Sequence, residues 1–113
     1  MTKTAFLFAG QGAQYLGMGR DLYDRYPIVK ETIDQASQVL GYDLRDLIDK
    51  EETKLNQTRY TQPAILATSV AIYRLLKEKG YQPDMVAGLS LGEYSALVAS
   101  GALDFEDAVD LVA

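Results

Sequence analysis

An α/β fold built on a parallel sheet is predicted by three features of the chain. Lys3 to Ala9 and Met85 to Ala87 are short apolar runs that stop at glycine, as buried parallel strands do. Helical patterns rather than a hairpin turn separate them, and strand, helices, parallel strand is the doubly wound plan. The second run passes straight into Gly88-Leu89-Ser90-Leu91-Gly92, a G-x-S-x-G at a strand-to-helix junction. Two parallel strands alone cannot cover their own edges. The 113 residues are therefore expected to be the first part of a longer α/β enzyme.

Between the strands, Asp21 to Tyr26 has the spacing of a short helix. Pro27 suits the first turn of a second helix reaching about Leu40, with Ile28, Ile33, Ala36 and Leu40 inward and Gly41 as its stop. Asp43 is the expected N-cap of a third helix that buries Leu44, Leu47 and Ile48. Asp49 to Gln57 is acidic and polar and reads as a surface loop. Thr61 is the expected cap of a long helix over Gln62 to Lys79, with Pro63 in its first turn. Ile65, Leu66, Val70, Ile72, Tyr73, Leu75 and Leu76 make that helix apolar around much of its circumference, hence central. Gly80 closes it, and Pro83 and Asp84 turn the chain into the second strand. A helix from Leu91 to about Ser100 follows, Gly101 breaks it, and Asp104 caps a last helix from Phe105 that carries no stop signal at Ala113.

Composition excludes several roles. The content of 48% hydrophobic and 24% charged residues is that of an ordinary globular protein. No apolar run is long enough to span a bilayer and the N-terminus lacks a signal-peptide layout, so no membrane is expected and a cytoplasmic setting is the default. With no cysteine, neither disulfides nor a thiolate zinc site is available, and no metal-ligand spacing is present. A net charge of −5 without a basic stripe argues against nucleic acid. Arg74, Lys77 and Lys79 form one local basic cluster, read as a solvated helix face.

The chemistry concentrates in two glycine-bounded segments. In G-x-S-x-G the turn is so tight that side chains two positions either side of the serine would collide, hence Gly88 and Gly92. A helix starting after Ser90 aims free N–H groups toward it, and the Leu91 amide can donate to a developing oxyanion. The competing interpretation is a glycine-bounded turn with an incidental serine. Gly10-Gln11-Gly12-Ala13-Gln14, then Gly17 and Gly19, leave the first strand. Tyr15 spoils the dinucleotide fingerprint, and Met18 and Gly19 replace the Lys and Ser/Thr of a P-loop. What remains is a loop carrying two amides, Gln11 and Gln14, at the sheet edge where α/β proteins bind ligands. The chain contains no histidine, so a nucleophilic Ser90 lacks the usual base within these residues.

Three segments carry a resemblance: F-A-G-Q-G-A-Q at Phe8 to Gln14, T-Q-P-A at Thr61 to Ala64, and G-L-S-L-G-E-Y-S-A-L at Gly88 to Leu97. In that order they closely resemble malonyl-CoA:acyl carrier protein transacylases, and are also similar to polyketide synthase acyltransferase domains. The resemblance spans nearly the whole chain. It implies an α/β-hydrolase-like large subdomain, incomplete over residues 1–113, with the family's ferredoxin-like small subdomain absent. It implies that Ser90 accepts malonyl from coenzyme A and passes it to the phosphopantetheine thiol of acyl carrier protein, in fatty acid biosynthesis. Malonyl-CoA and acyl carrier protein are then the partners, and coenzyme A is part of the substrate rather than a cofactor. Gln11 matches a loop glutamine supporting the oxyanion site, with the Leu91 amide as the other donor, and Gln62 matches a pocket glutamine. Two alternatives stay open: Gln11 only pins its own loop, or Gln62 only caps the following helix. Leu89 stands where most members have histidine, a change at a position that is not the base. The family's carboxylate-binding arginine and base histidine are expected beyond Ala113, so the 113 residues alone are expected to be inactive. The competing functions are a patatin-like serine lipid hydrolase, with aspartate in place of histidine, and a non-catalytic module that binds coenzyme A or carrier protein.

Overall fold

Two four-residue strands, β1 (Ala5–Phe8) and β2 (Met85–Gly88), pair in parallel with Ala5 opposite Met85 and Phe8 opposite Gly88. The computed structural model describes residues 5–8, 14–80, 85–88, 95, 98–101 and 103–113. Between the strands run α1 (Arg20–Arg25), α2 (Pro27–Leu40), α3 (Leu44–Lys50), α4 (Glu52–Leu55) and α5 (Thr58–Glu78). After β2, Ser95, Val98 and Ala99 are helical, and α6 (Phe105–Val112) closes the described chain. Parallel strands joined through helices bear out the α/β class. Among the described residues, no helix is long and apolar enough to cross a membrane.

Local signals set most boundaries. Pro27 opens α2, where a missing N–H is harmless, and Gly41 closes it in the left-handed region with its N–H on the Ser37 carbonyl. The Asp43 carboxylate accepts from the Asp46 amide and caps α3. Asp104 precedes α6 in extended conformation, although its side chain makes no capping bond. A methyl group at Gly41 would meet nothing within 4 Å, yet the residue sits at φ 81°. Gly41→Ala is therefore expected to destabilise by about 1 kcal/mol through backbone strain alone, read as a lower denaturation midpoint.

Four expectations are corrected. The buried seam of α2 is Val29, Thr32, Ile33 and Ala36, with Ile28 and Leu40 only half-buried. The face is rotated because Thr32 satisfies its hydroxyl on the Ile28 carbonyl at 2.8 Å and so can go inside. Residues 49–57 are not a loop: α3 continues to Lys50 and α4 inserts the fully buried Leu55 into the core. The long helix begins at Thr58, so Thr61 is no cap. Its buried hydroxyl bonds the carbonyls of Leu55 and Gln57, at the junction of α4 and α5. Pro63 lies within the helix, leaving the Arg59 carbonyl without its usual N–H partner. Finally, Arg74 is no solvated residue. It is half-buried, donates to Thr32 and Gln35 at 3.2 Å each, and stacks 4.8 Å over the Phe105 ring. Burial lowers its pKa from the ordinary value.

Helix α5 is the centre, as its sequence predicts. Ala64, Leu66, Ala67, Val70 and Ala71 are wholly buried against α2, α4 and α6, while Ile72 remains exposed and Leu76 half-exposed. Each large side chain so buried contributes about 1.5–3 kcal/mol of transfer free energy. Three alanines on this surface let the neighbouring helices approach closely. The Tyr73 hydroxyl ties α5 to the helical segment after β2 through the Ala99 carbonyl at 3.0 Å.

Candidate active site

The strand register decides what can meet. Phe8 and Gly88 are paired partners at the last residue of each strand, so the chain leaves both strands at the same end of the pair. Neighbouring strands lie about 4.8 Å apart. Gln11 follows Phe8 by three positions, and Ser90 follows Gly88 by two. Ser90, Gln11 and Leu91 themselves lie outside the described residues, as do Gly92 and Asp84.

The glycine-rich segment is described from Gln14 onward, and it is clamped. Gln14 donates to the Asn56 side chain at 2.9 Å, and the Gly17 amide donates to the Ile48 carbonyl at 2.8 Å. Gly17 and Gly19 adopt φ 78° and 73°, which lets the chain turn about the buried Met18. A Cβ on Gly19 would stand 3.3 Å from the Thr68 methyl, so glycine is needed for approach to α5 as well as for the turn. Arg45, only 4% exposed, donates to the Met18 carbonyl at 2.7 Å. Its guanidinium also forks onto Asp49 at 2.7 and 3.1 Å and lies 5.5 Å over the Tyr23 ring. Asp49 takes a further bond from Arg20 at 2.7 Å, and Arg20 reaches Asp24 at 2.9 Å. Hydrogen bonds to Asp24 and then Asp49 hold the Arg20 pKa above its usual value.

Between this segment and α5 lies a cleft of about 490 Å³, lined on the helix by Ile65, Thr68, Ser69 and Ile72 and opposite by Tyr15 and Met18 among others. Ile65, Ser69 and Ile72 share one helical face, and Gln62 lies on that face one turn nearer the N-terminus, half-buried. Gln62 stands inside α5, which the structure starts at Thr58, so the capping alternative for it is removed. The buried Thr68 hydroxyl has no hydrogen-bond partner among the described residues.

Arg45 and Asp49 escaped sequence reasoning. Their signal was an opposite-charge pair at i, i+4 interleaved with the buried Leu44, Leu47 and Ile48, a spacing that can turn an ion pair inward. The acidic, polar run that Asp49 begins reads instead as a surface loop.

The acyl transferase domain family matches residues 5–113. Malonyl CoA-acyl carrier protein transacylase of Haemophilus influenzae is 57% identical over 115 residues, covering 99% of this chain and 37% of that protein. A crystal structure of MCAT from Streptococcus pneumoniae is 93% identical with a TM-score of 0.96, over 97% of this chain and 36% of that one. A malonyl-transacylase solved in complex with its type II PKS acyl-carrier protein is 51% identical with a TM-score of 0.94, over 98% and 37%. The chain thus spans little more than a third of the length of these relatives.

Proposed function

Because the chain belongs to the acyl transferase domain family, we propose that residues 1–113 are the N-terminal part of a malonyl transferase with an α/β-hydrolase-like large subdomain. The whole enzyme moves malonyl from coenzyme A to the phosphopantetheine thiol of an acyl carrier protein in fatty acid synthesis. The observation that carries this reading is the in-register parallel pairing of Phe8 with Gly88. It starts the Gln11 segment and the Ser90 segment from adjacent points on one sheet edge, where α/β proteins place ligands. The names of the relatives supply the acyl group and the acceptor.

In this mechanism the Ser90 hydroxyl attacks the thioester carbonyl and its proton leaves to a base. The Leu91 amide and Gln11 stabilise the oxyanion, and coenzyme A departs as the thiol, leaving malonyl esterified to Ser90. The carrier-protein thiol then attacks that ester through the same oxyanion site, and Ser90 regains its proton. Gln62 lines the acyl pocket. A thioester is already activated, so neither step calls for a cofactor or metal; coenzyme A enters only as the carrier of the substrate. A cytoplasmic setting accompanies this role. The sequence holds no histidine, so the 113 residues alone are expected to turn over negligibly.

Incubating the full-length protein with malonyl-CoA and weighing it tests the proposal. A malonyl adduct on the Ser90 peptide, discharged by holo-acyl carrier protein, is the expected result. Free malonate with no adduct would point to a patatin-like hydrolase, and no reaction at all to a non-catalytic binding module. The similar transacylase bound to a type II PKS carrier protein favours a second acceptor class. Discharge to polyketide-type but not fatty-acid-type carrier would select it.

A further inference from the structure

We propose that Arg45 is a positioning residue for the acylation step, holding the segment that carries Gln11 through the carbonyl of Met18. The inference rests on the role given to Gln11 above. A buried guanidinium is costly unless it is paired and hydrogen-bonded. Here one nitrogen serves both the Met18 carbonyl and Asp49 at 2.7 Å, while Nε binds the second carboxylate oxygen at 3.1 Å. Filling the core does not by itself call for a charge, whereas the Met18 carbonyl does call for a donor at this point. What the arginine adds is a further fixed point on the described part of that segment, residues 14–19, beside the Gln14–Asn56 and Gly17–Ile48 bonds. Gly17 and Gly19, both at positive φ, are the positions at which the chain turns there. Met18 is the residue they flank, and its carbonyl is what Arg45 holds.

Lysine cannot reproduce the fork and the third bond together, because its ammonium is a single point rather than a planar array. Small displacements of a group that stabilises an oxyanion cost up to about 10²-fold in rate. In the full-length enzyme, Arg45→Lys is therefore expected to slow malonylation of Ser90 by about 10- to 100-fold at an unchanged KM for malonyl-CoA. The decisive measurement is a double-mutant cycle with Gln11→Ala, read as single-turnover acylation by mass spectrometry. If Arg45 acts through Gln11, Arg45→Lys adds little to the loss already caused by Gln11→Ala.

Full additivity of the two losses, or a wild-type acylation rate in folded Arg45→Lys, overturns the inference. Should Arg45→Lys fail to fold, Gly19→Ala moves the same segment while leaving Arg45 and Asp49 in the sequence, its Cβ standing 3.3 Å from the Thr68 methyl and 3.7 Å from the Arg45 guanidinium. It must then show the same non-additivity with Gln11→Ala, and additivity or a wild-type rate overturns the inference there too. A Gln11→Ala enzyme that acylates at the wild-type rate instead removes the role of Gln11 itself, which separates the two failures.

Discussion

Replacing Ser90 by alanine in the full-length protein is expected to abolish the malonyl adduct and to lower transfer by at least about 10⁴-fold. In the proposed mechanism the hydroxyl is the atom that forms and breaks the ester, so no neighbour can substitute for it at a comparable rate. Stability should not change, since the substitution removes one oxygen and leaves the flanking Gly88 and Gly92 in place. Thermal unfolding alongside the mass measurement distinguishes lost chemistry from lost fold. A Ser90→Ala enzyme that still accumulates malonyl on that segment would refute the acyl-enzyme mechanism.

The second large effect is on stability. Asp49→Ala is expected to destabilise by about 3 kcal/mol, because it leaves the Arg45 charge buried without a counter-ion. Arg20 loses a partner as well, but it is half exposed, keeps Asp24 and gains water. The comparison variant is the double replacement Arg45→Met with Asp49→Leu, which removes both charges together. It should regain a good part of the loss, though not all, since the buried Met18 carbonyl then has no donor. Denaturant midpoints of the two variants check this. Equal stability of Asp49→Ala and the parent would mean that the pair is solvated in solution.

How much of this was legible beforehand follows from the range of the interactions involved. The two strands, the ends of α2 at Pro27 and Gly41, and the Asp43 cap of α3 are each set within a few residues, and the sequence displays them. The local signals start α5 at Gln62, four residues after its observed start at Thr58. Thr61 and Pro63 together look like a cap and a first turn, and what moves the boundary back is a hydroxyl bonded to Leu55 and Gln57 in a buried junction. The fate of Arg74 likewise depends on Phe105, far along the chain and on another helix. For the site, the motifs named Ser90, Gln11, Leu91 and Gln62, and the structure describes Gln62 alone among them. Arg45 shows in the sequence only as an i, i+4 charge pair with Asp49; its bond to the Met18 carbonyl is marked by no pattern, since every residue has a backbone carbonyl.

The parallel pairing of the strands bears on how the polypeptide reaches its final shape. Ala5 and Met85 are partners although eighty positions separate them, so β1 emerges from the ribosome long before anything exists for it to bond to. Closing so wide a loop is entropically slow unless the intervening helices have already drawn its ends together. Helix assembly around α5 should therefore precede strand docking, with an apolar tetrapeptide left waiting. During synthesis that segment is a natural target for a chaperone.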